Sequence, residues 1–256
     1  MSEPHCPQLP AEDVYATAKK ICFVLDRIRR YRQQVNPAPR ILDFGCGNGT
    51  ALGQYVIGEG VDYLGVDFHA PSLDYARTHF GQARARFLPE VPAGECFDIL
   101  IYSEVLEHLD DTAAILRSHL PLLAPGGIVL GSIPNGYGLT EIEKYVDRKL
   151  HLYEALRWVS RRLRGGGPAK QEVGLPYNYA SGHIQFFTRR SFERTVRSAG
   201  LELVELRNGS VMGADLSGAT FLRPQALIAF NTKLADYLPS WAAATWHFTL
   251  HRGKEA

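Results

Sequence analysis

A doubly wound α/β sheet of seven strands, mostly parallel with an antiparallel last strand, is what this 256-residue sequence predicts. Three observations carry that expectation. Strand-length apolar runs alternate with helix-length segments from residue 41 to residue 133. One run, Phe97–Tyr102, is apolar almost throughout, as a strand covered on both faces requires. Another, Ile41–Phe44, empties directly into a glycine turn that reads Asp43-Phe44-Gly45-Cys46-Gly47-Asn48-Gly49.

The elements follow in order. Residues 1–36 are expected to form an N-terminal arm and helix. Pro-rich residues 1–12 make the arm, and Val14, Ala18, Ile21 and Ile28 set a helical stripe from Val14 to Tyr31. Arg27, Arg29 and Arg30 near its end suit the C-terminal pole of the helix. Asn36-Pro37-Ala38-Pro39 then breaks the chain. Strands are expected at Ile41–Phe44, Tyr63–Val66, Arg86–Leu88, Phe97–Tyr102 and Ile128–Ile133, the last after a Pro125-Gly126-Gly127 turn. Helices are expected at Ala51–Ile57, Pro71–Phe80 and Asp111–Leu122. A Thr188 cap opens a further helix to Ala199. Leu201–Arg207 and Thr245–Arg252 supply the last two strands, paired antiparallel.

Two stretches interrupt this alternation, residues 137–182 and 211–240, and both read as helical lid or substrate insertions. The first holds a long helix candidate at 141–164, with Ile142, Tyr145, Val146, Leu152, Tyr153, Leu156, Val159 and Leu163 on one face. Lys144, Arg148, Lys149, Arg157, Arg161 and Arg162 lie on the other. A lid over a pocket is favoured for it; a peripheral membrane contact is the most that its basic face would add. In the second insertion Leu227, Phe230, Leu234 and Tyr237 fall in helical register. The whole chain, 1–256, is expected to be one domain.

Composition narrows the class. A hydrophobic content of 45% supports a full core, and a net charge of +1 gives no bulk attraction for nucleic acid. Four scattered cysteines without a C-x-x-C pair point to reduced thiols, and no export signal or apolar span of about 18 residues is visible. A cytoplasmic protein is expected. Nothing in the sequence bears on its oligomeric state.

The glycine turn is the first chemical clue. A dinucleotide fingerprint would read G-x-G-x-x-G, but Thr50 stands at the third glycine's place and Gly49 comes one residue early. The early glycine and Asp43 suit S-adenosylmethionine, whose tail carries an ammonium and no pyrophosphate. Asp67 ends the next strand about twenty residues on, where a carboxylate meets ribose hydroxyls. Together with Ser103-Glu104-Val105-Leu106-Glu107-His108, Leu123-Ala124-Pro125-Gly126-Gly127 and Ser132-Ile133-Pro134-Asn135-Gly136, these segments resemble class I S-adenosylmethionine-dependent methyltransferases. The resemblance covers residues 37–136 well and 183–207 more loosely.

That resemblance implies a Rossmann-like fold and a set of site residues. Asp43 would orient waters or the methionine ammonium, while Gly45, Cys46, Gly47 and Gly49 would line the methionine tail and ribose. Asp67 would hold the ribose diol, Phe68 would flank adenine, and Ser103 and Glu104 would sit near the methyl-bearing end. Relatives usually carry an acidic residue before the fourth strand that meets the adenine amino group; here that region is a compressed Phe87-Leu88-Pro89-Glu90-Val91, which leaves the adenine contact open.

On the acceptor side, Glu104, Glu107 and His108 are spaced i, i+3, i+4, which places them on one face of a helical turn. The same Glu-x-x-Glu-His string occurs in ubiquinone-pathway O-methyltransferases and in small-RNA 3′-terminal 2′-O-methyltransferases. In the latter, a downstream histidine completes a metal site, and His183 stands at a comparable place. The resemblance leaves three readings open: a divalent site, Mg²⁺ held by Glu104, Glu107, His108 and His183; metal-free catalysis with His108 or His183 as base beside Glu104; or, as in methyltransferases without metal dependence, Glu107 and His108 simply finishing a turn. The reaction the resemblance implies is methyl transfer to a small-molecule acceptor at a hydroxyl oxygen. Two alternatives stay open: methylation of nitrogen or of a sugar or lipid-linked intermediate, and a cofactor-binding scaffold without catalysis. The intact glycine turn, Asp67 and the Glu/His set speak against the scaffold.

Overall fold

Seven strands form one sheet in the order β3-β2-β1-β4-β5-β7-β6. They are β1 (Arg40–Phe44), β2 (Asp62–Val66), β3 (Ala85–Leu88), β4 (Phe97–Ser103), β5 (Leu123–Pro134), β6 (Leu201–Asn208) and β7 (Thr245–Arg252). The helices include α1 (Thr17–Gln34), α2 (Gly53–Gly58), α3 (Ala70–Phe80), α4 (Thr112–His119), α5 (Leu139–Leu150), α6 (Arg189–Ser198) and α7 (Gln225–Ala235). This computed structural model describes residues 8–151, 153–156, 158, 175–176, 183–213, 217–218, 220 and 222–253.

Alternation along the strands creates two cores. Ile41 of β1 joins Ile21, Val24 and Ile28 of α1, with Tyr63, Ile99 and Leu130 from other strands, on one face of the sheet. Its neighbour Leu42 points the other way, into a core with Leu64, Tyr102, Phe192 and Phe248. Apolar residues at every position of a central strand therefore mean a sheet buried on both sides. β1 to β5 pair in parallel. β7 runs antiparallel to both β5 and β6, so the pairing expected from sequence is present and the last strand also wedges between its two neighbours.

Several local expectations shift. The helix expected from Val14 begins at Thr17, because Asp13 and Glu12 take up its free N–H groups: Thr17 donates to Asp13 at 3.0 Å, and Ala18 and Lys19 donate to Glu12 at 2.9 and 3.0 Å. Arg27 does not serve the helix end. It is buried and donates to both oxygens of Glu205 on β6 at 2.7 and 2.6 Å, fastening α1 to the sheet edge. The expected Pro125–Gly127 turn is absorbed into β5, where the pairing with β4 shifts register between Phe97 and Ile99.

The insertions differ more. α5 ends at Leu150, with His151 in the left-handed region at φ 52°, so the long helix expected to run through 164 is interrupted there. The Leu152, Val159 and Leu163 positions of that stripe lie outside the described residues. In α7 the buried side is small and polar, formed by Asn231, Thr232 and Ala235, while Leu227 and Phe230 are exposed. Asn231 accounts for that: its amide receives the Met212 N–H at 3.0 Å and donates to the Met212 carbonyl at 2.8 Å.

Candidate active site

The carboxyl ends of β1, β2 and β4 meet at the glycine turn, the usual place for a ligand in an open α/β sheet. Gly45, Gly47 and Gly49 all have positive φ, at 77°, 56° and 77°. They do not serve the same space. A Cβ on Gly47 would meet nothing within 4 Å, whereas one on Gly49 would lie 2.9 Å from the Phe80 ring, and one on Gly45 would lie 2.5 Å from Val105. Gly47 therefore borders the cleft, while Gly49 packs against α3 and Gly45 admits the Val105 side chain.

That cleft holds about 280 Å³ and is walled by Gly45, Gly47, Asp67 and Phe68 on one side and by Glu104, Val105 and His108 on the other. Asp67 receives the Gly47 and His69 backbone N–H groups, each at 2.8 Å, one on each carboxylate oxygen. Phe68 stands 80% exposed at the rim. Pro89, from the compressed segment before the fourth strand, lines the adjoining wall. The Pro176 carbonyl reaches this region as well, accepting from Asn48 Nδ2 and Ser72 Oγ at 3.1 Å each.

Other residues expected to line the cofactor sit elsewhere. Asp43 is 2% exposed, beneath the turn, where Tyr63 donates its hydroxyl at 2.7 Å. Burial pushes the Asp43 carboxyl up to about 6, against the opposing pull of the Tyr63 hydrogen bond. Cys46 is largely covered and its thiol is pushed up by burial, so it packs as a small apolar group. Ser103 turns toward Ser132, with 3.4 Å between their hydroxyl oxygens. None of these three, nor Gly49, is on the cleft wall.

A second cavity, about 430 Å³, opens on the other side of Glu104 and His108. Glu107, His183, Lys20 and Lys144 also line it. Its formation depends on two backbone features. Glu104 takes φ 55°, so the chain bends before the 3₁₀ turn Leu106–His108 instead of entering it helically. Then Ile184 and Gln185 both donate their backbone N–H to the Glu107 carbonyl at 2.9 Å, which brings His183 against His108 across 75 residues of sequence separation. The two imidazoles pack edge to face with centroids 5.1 Å apart.

Glu107, His108 and His183 offer ligand atoms that all lie within 4.8 Å of one another. Glu104 stands outside this set: its left-handed backbone removes the i, i+3, i+4 face on which the sequence placed it. Glu107 is fully buried, and among the described residues neither carboxylate oxygen has a hydrogen-bond partner; His108 Nε2 is 3.7 Å from one of them. Burial, reinforced by Glu104, holds the Glu107 carboxyl well above the ordinary carboxylate range. A larger cavity of about 730 Å³ lies away from this site between α1, β6 and β7, with its cations Arg27 and Lys19 already paired to Glu205 and Asp236.

A seven-stranded sheet of this order, with a glycine turn and a strand-end aspartate at its carboxyl edge, defines a Rossmann-like fold of the methyltransferase type. The chain aligns over 98% of its length with 95% of the CcbJ methyltransferase from Streptomyces caelestis at a TM-score of 0.54 and 13% identity. It aligns over 84% of its length with 91% of an S-adenosylmethionine-dependent methyltransferase from Mesorhizobium loti, TM-score 0.53 and 17% identity. The chain belongs to the methyltransferase domain family, whose profile matches residues 16–206. It is also similar to ubiquinone biosynthesis O-methyltransferases: 34% identity to that of Psychrobacter arcticus, over 54% of this chain and 63% of the relative, and 33% to that of Acinetobacter baylyi, over 56% and 69%. The chain thus spans about two thirds of the length of these curated relatives.

Proposed function

We propose that this chain is an S-adenosylmethionine-dependent methyltransferase that methylates a hydroxyl oxygen of a small molecule. One observation carries the reading: Glu104 and His108 stand on the walls of both cavities, so a cofactor cleft and an acceptor cavity meet at these two side chains. The cleft suits the cofactor, because the open space over Gly47 admits a ligand against the backbone and Asp67 presents a carboxylate beside it. Asp67 would hold the ribose diol and Phe68 would cover the adenine. When bound, the cofactor supplies a sulfonium methyl for in-line displacement, which leaves the protein to align the acceptor and remove its proton.

His108 takes that proton as general base, with His183 beside it as the second imidazole. The helical insertions, on this reading, form the acceptor lid of a single catalytic domain. Oxygen is favoured over nitrogen by the naming of the relatives as O-methyltransferases. Among the described residues no helix is long and apolar enough to cross a membrane.

A divalent cation is a second reading with its own observation, the buried Glu107 carboxylate, without a hydrogen-bond partner among the described residues, beside two imidazoles. Two nitrogens and one oxygen fit Mn²⁺, Fe²⁺ or Zn²⁺ better than Mg²⁺, which prefers an all-oxygen shell. A cation held by Glu107, His108 and His183 would acidify the acceptor hydroxyl. Titration calorimetry with S-adenosylmethionine tests the main reading; no binding at millimolar cofactor sinks it. With ¹³C-methyl cofactor and a small-molecule extract, the label's NMR shift tells O–CH₃ from N–CH₃. EDTA followed by Mn²⁺ add-back decides the metal.

A further inference from the structure

Lys20 enters the acceptor cavity from α1 on the same wall system as Glu104, Glu107 and His108. We infer that Lys20 determines specificity by recognising an anionic group, a carboxylate or phosphate, carried by the methyl acceptor; this rests on the methyltransferase reading above.

The contrast with its neighbour carries the inference. Lys19 is fully engaged: its ammonium donates to the Gly209 and Thr232 carbonyls at 2.9 and 2.8 Å and pairs with Asp236 at 2.7 Å. Lys20, one residue on and turned to the other side of α1, is half-buried, yet among the described residues its ammonium reaches no carboxylate at ion-pair distance and donates no hydrogen bond. Three strong donors thus face a cavity with no acceptor on them among the described residues. Partial burial of an ammonium without a partner is unfavourable, and a ligand oxygen anion would satisfy it. Lys144 of α5 lines the same cavity, so two ammonium groups border the space that adjoins the reacting end.

The geometry also sets the acceptor's polarity. Its hydroxyl belongs at Glu104 and His108, where the two cavities meet, and its anionic group at Lys20. A hydroxy acid or a hydroxyl-bearing phosphate ester has that pairing. A purely structural role for Lys20 would be to offset the buried carboxyls Asp43 and Glu107, whose ionised forms its charge favours. Such a role would alter stability when Lys20 is replaced, but would leave anionic and neutral ligands equally affected.

The test uses simple probes on the intact protein saturated with S-adenosylhomocysteine: benzoate, inorganic phosphate and neutral benzamide, followed by ligand-observed NMR and calorimetry. Benzoate and phosphate are expected to bind, and Lys20→Gln to weaken both by on the order of tenfold or more, the size of one charge-assisted hydrogen bond. Benzamide and S-adenosylhomocysteine affinities stay unchanged, and Lys20→Arg retains benzoate binding. Absence of anion binding, equal binding of benzoate and benzamide, or benzoate affinity unmoved by Lys20→Gln overturns the inference. If S-adenosylhomocysteine itself fails to bind, the methyltransferase reading falls instead, and the anion titrations on the free protein must still show the Lys20 dependence.

Discussion

The Asp67 carboxylate accepts the Gly47 backbone N–H at 2.8 Å, joining the end of β2 to the turn that follows β1. Its second oxygen receives the His69 N–H, so one side chain holds both edges of the cleft. Asp67→Ala removes both acceptors. We expect a loss of about 1–3 kcal/mol of stability and at least tenfold weaker S-adenosylmethionine binding. Asp67→Asn, which keeps one oxygen acceptor, should recover most of the stability but not the affinity. Thermal melts beside calorimetry separate the two effects; unchanged affinity in both variants rejects the ribose role.

Gly47 and Gly49 make a paired prediction, because the space over them differs while their backbones do not. Both positions carry positive φ, so alanine costs about 1–2 kcal/mol of backbone strain at either. At Gly49 the new methyl also meets the Phe80 ring at 2.9 Å, adding about 1–3 kcal/mol of overpacking. At Gly47 it enters open space that a ligand would occupy. Gly49→Ala should therefore lower the melting temperature more, and Gly47→Ala should weaken cofactor binding more. The reverse ranking would reassign the cleft.

The strands and the glycine turn were legible because apolar runs and positive-φ glycines are local properties of a sequence. What was not legible depends on distant contacts. Gly49 looks like its neighbours until Phe80 of α3 is brought against it. Glu104 reads as the first residue of a helical face, yet its left-handed backbone takes it off that face. Lys20 carries no signal at all, since a lysine on an amphipathic helix ordinarily faces solvent. His183 was anticipated by family resemblance, but the two N–H bonds to the Glu107 carbonyl that bring it to His108 are a tertiary event.

Asp43 makes stability depend on pH in a calculable direction. Burial favours its neutral form in the folded chain, raising the carboxyl from 3.8 to about 6. The stability this lends is whole below the unfolded pKa and is lost as pH rises through about 6. The loss amounts to roughly 3 kcal/mol, at 1.36 kcal/mol per pKa unit. Asp43→Asn keeps an acceptor for the Tyr63 hydroxyl and cannot ionise. Relative to the unmodified chain, it should gain stability between pH 4 and pH 7, measured by urea unfolding at both. A difference that stays constant across that range shows that Asp43 does not titrate in the fold.

Glu107 sets stability against function. Its fully buried carboxylate has no hydrogen-bond partner on either oxygen among the described residues, and burial with the nearby Glu104 charge disfavours its ionised form. Here too the acid's contribution is present at low pH and lost as pH rises, so the penalty is greatest in alkaline solution. Glu107→Gln removes the charge at nearly constant volume and should raise stability at pH 8 by on the order of 1–3 kcal/mol, the desolvation of one unsatisfied polar group. A merely structural carboxyl would leave turnover intact or improved. If Glu107 orients His108 or joins it in holding a cation, the same variant should lose turnover by about 10–100-fold despite its higher melting temperature. Mn²⁺ titration then divides those two roles: recovery at high metal marks a weakened cation site, and a deficit that metal does not change marks misorientation of His108.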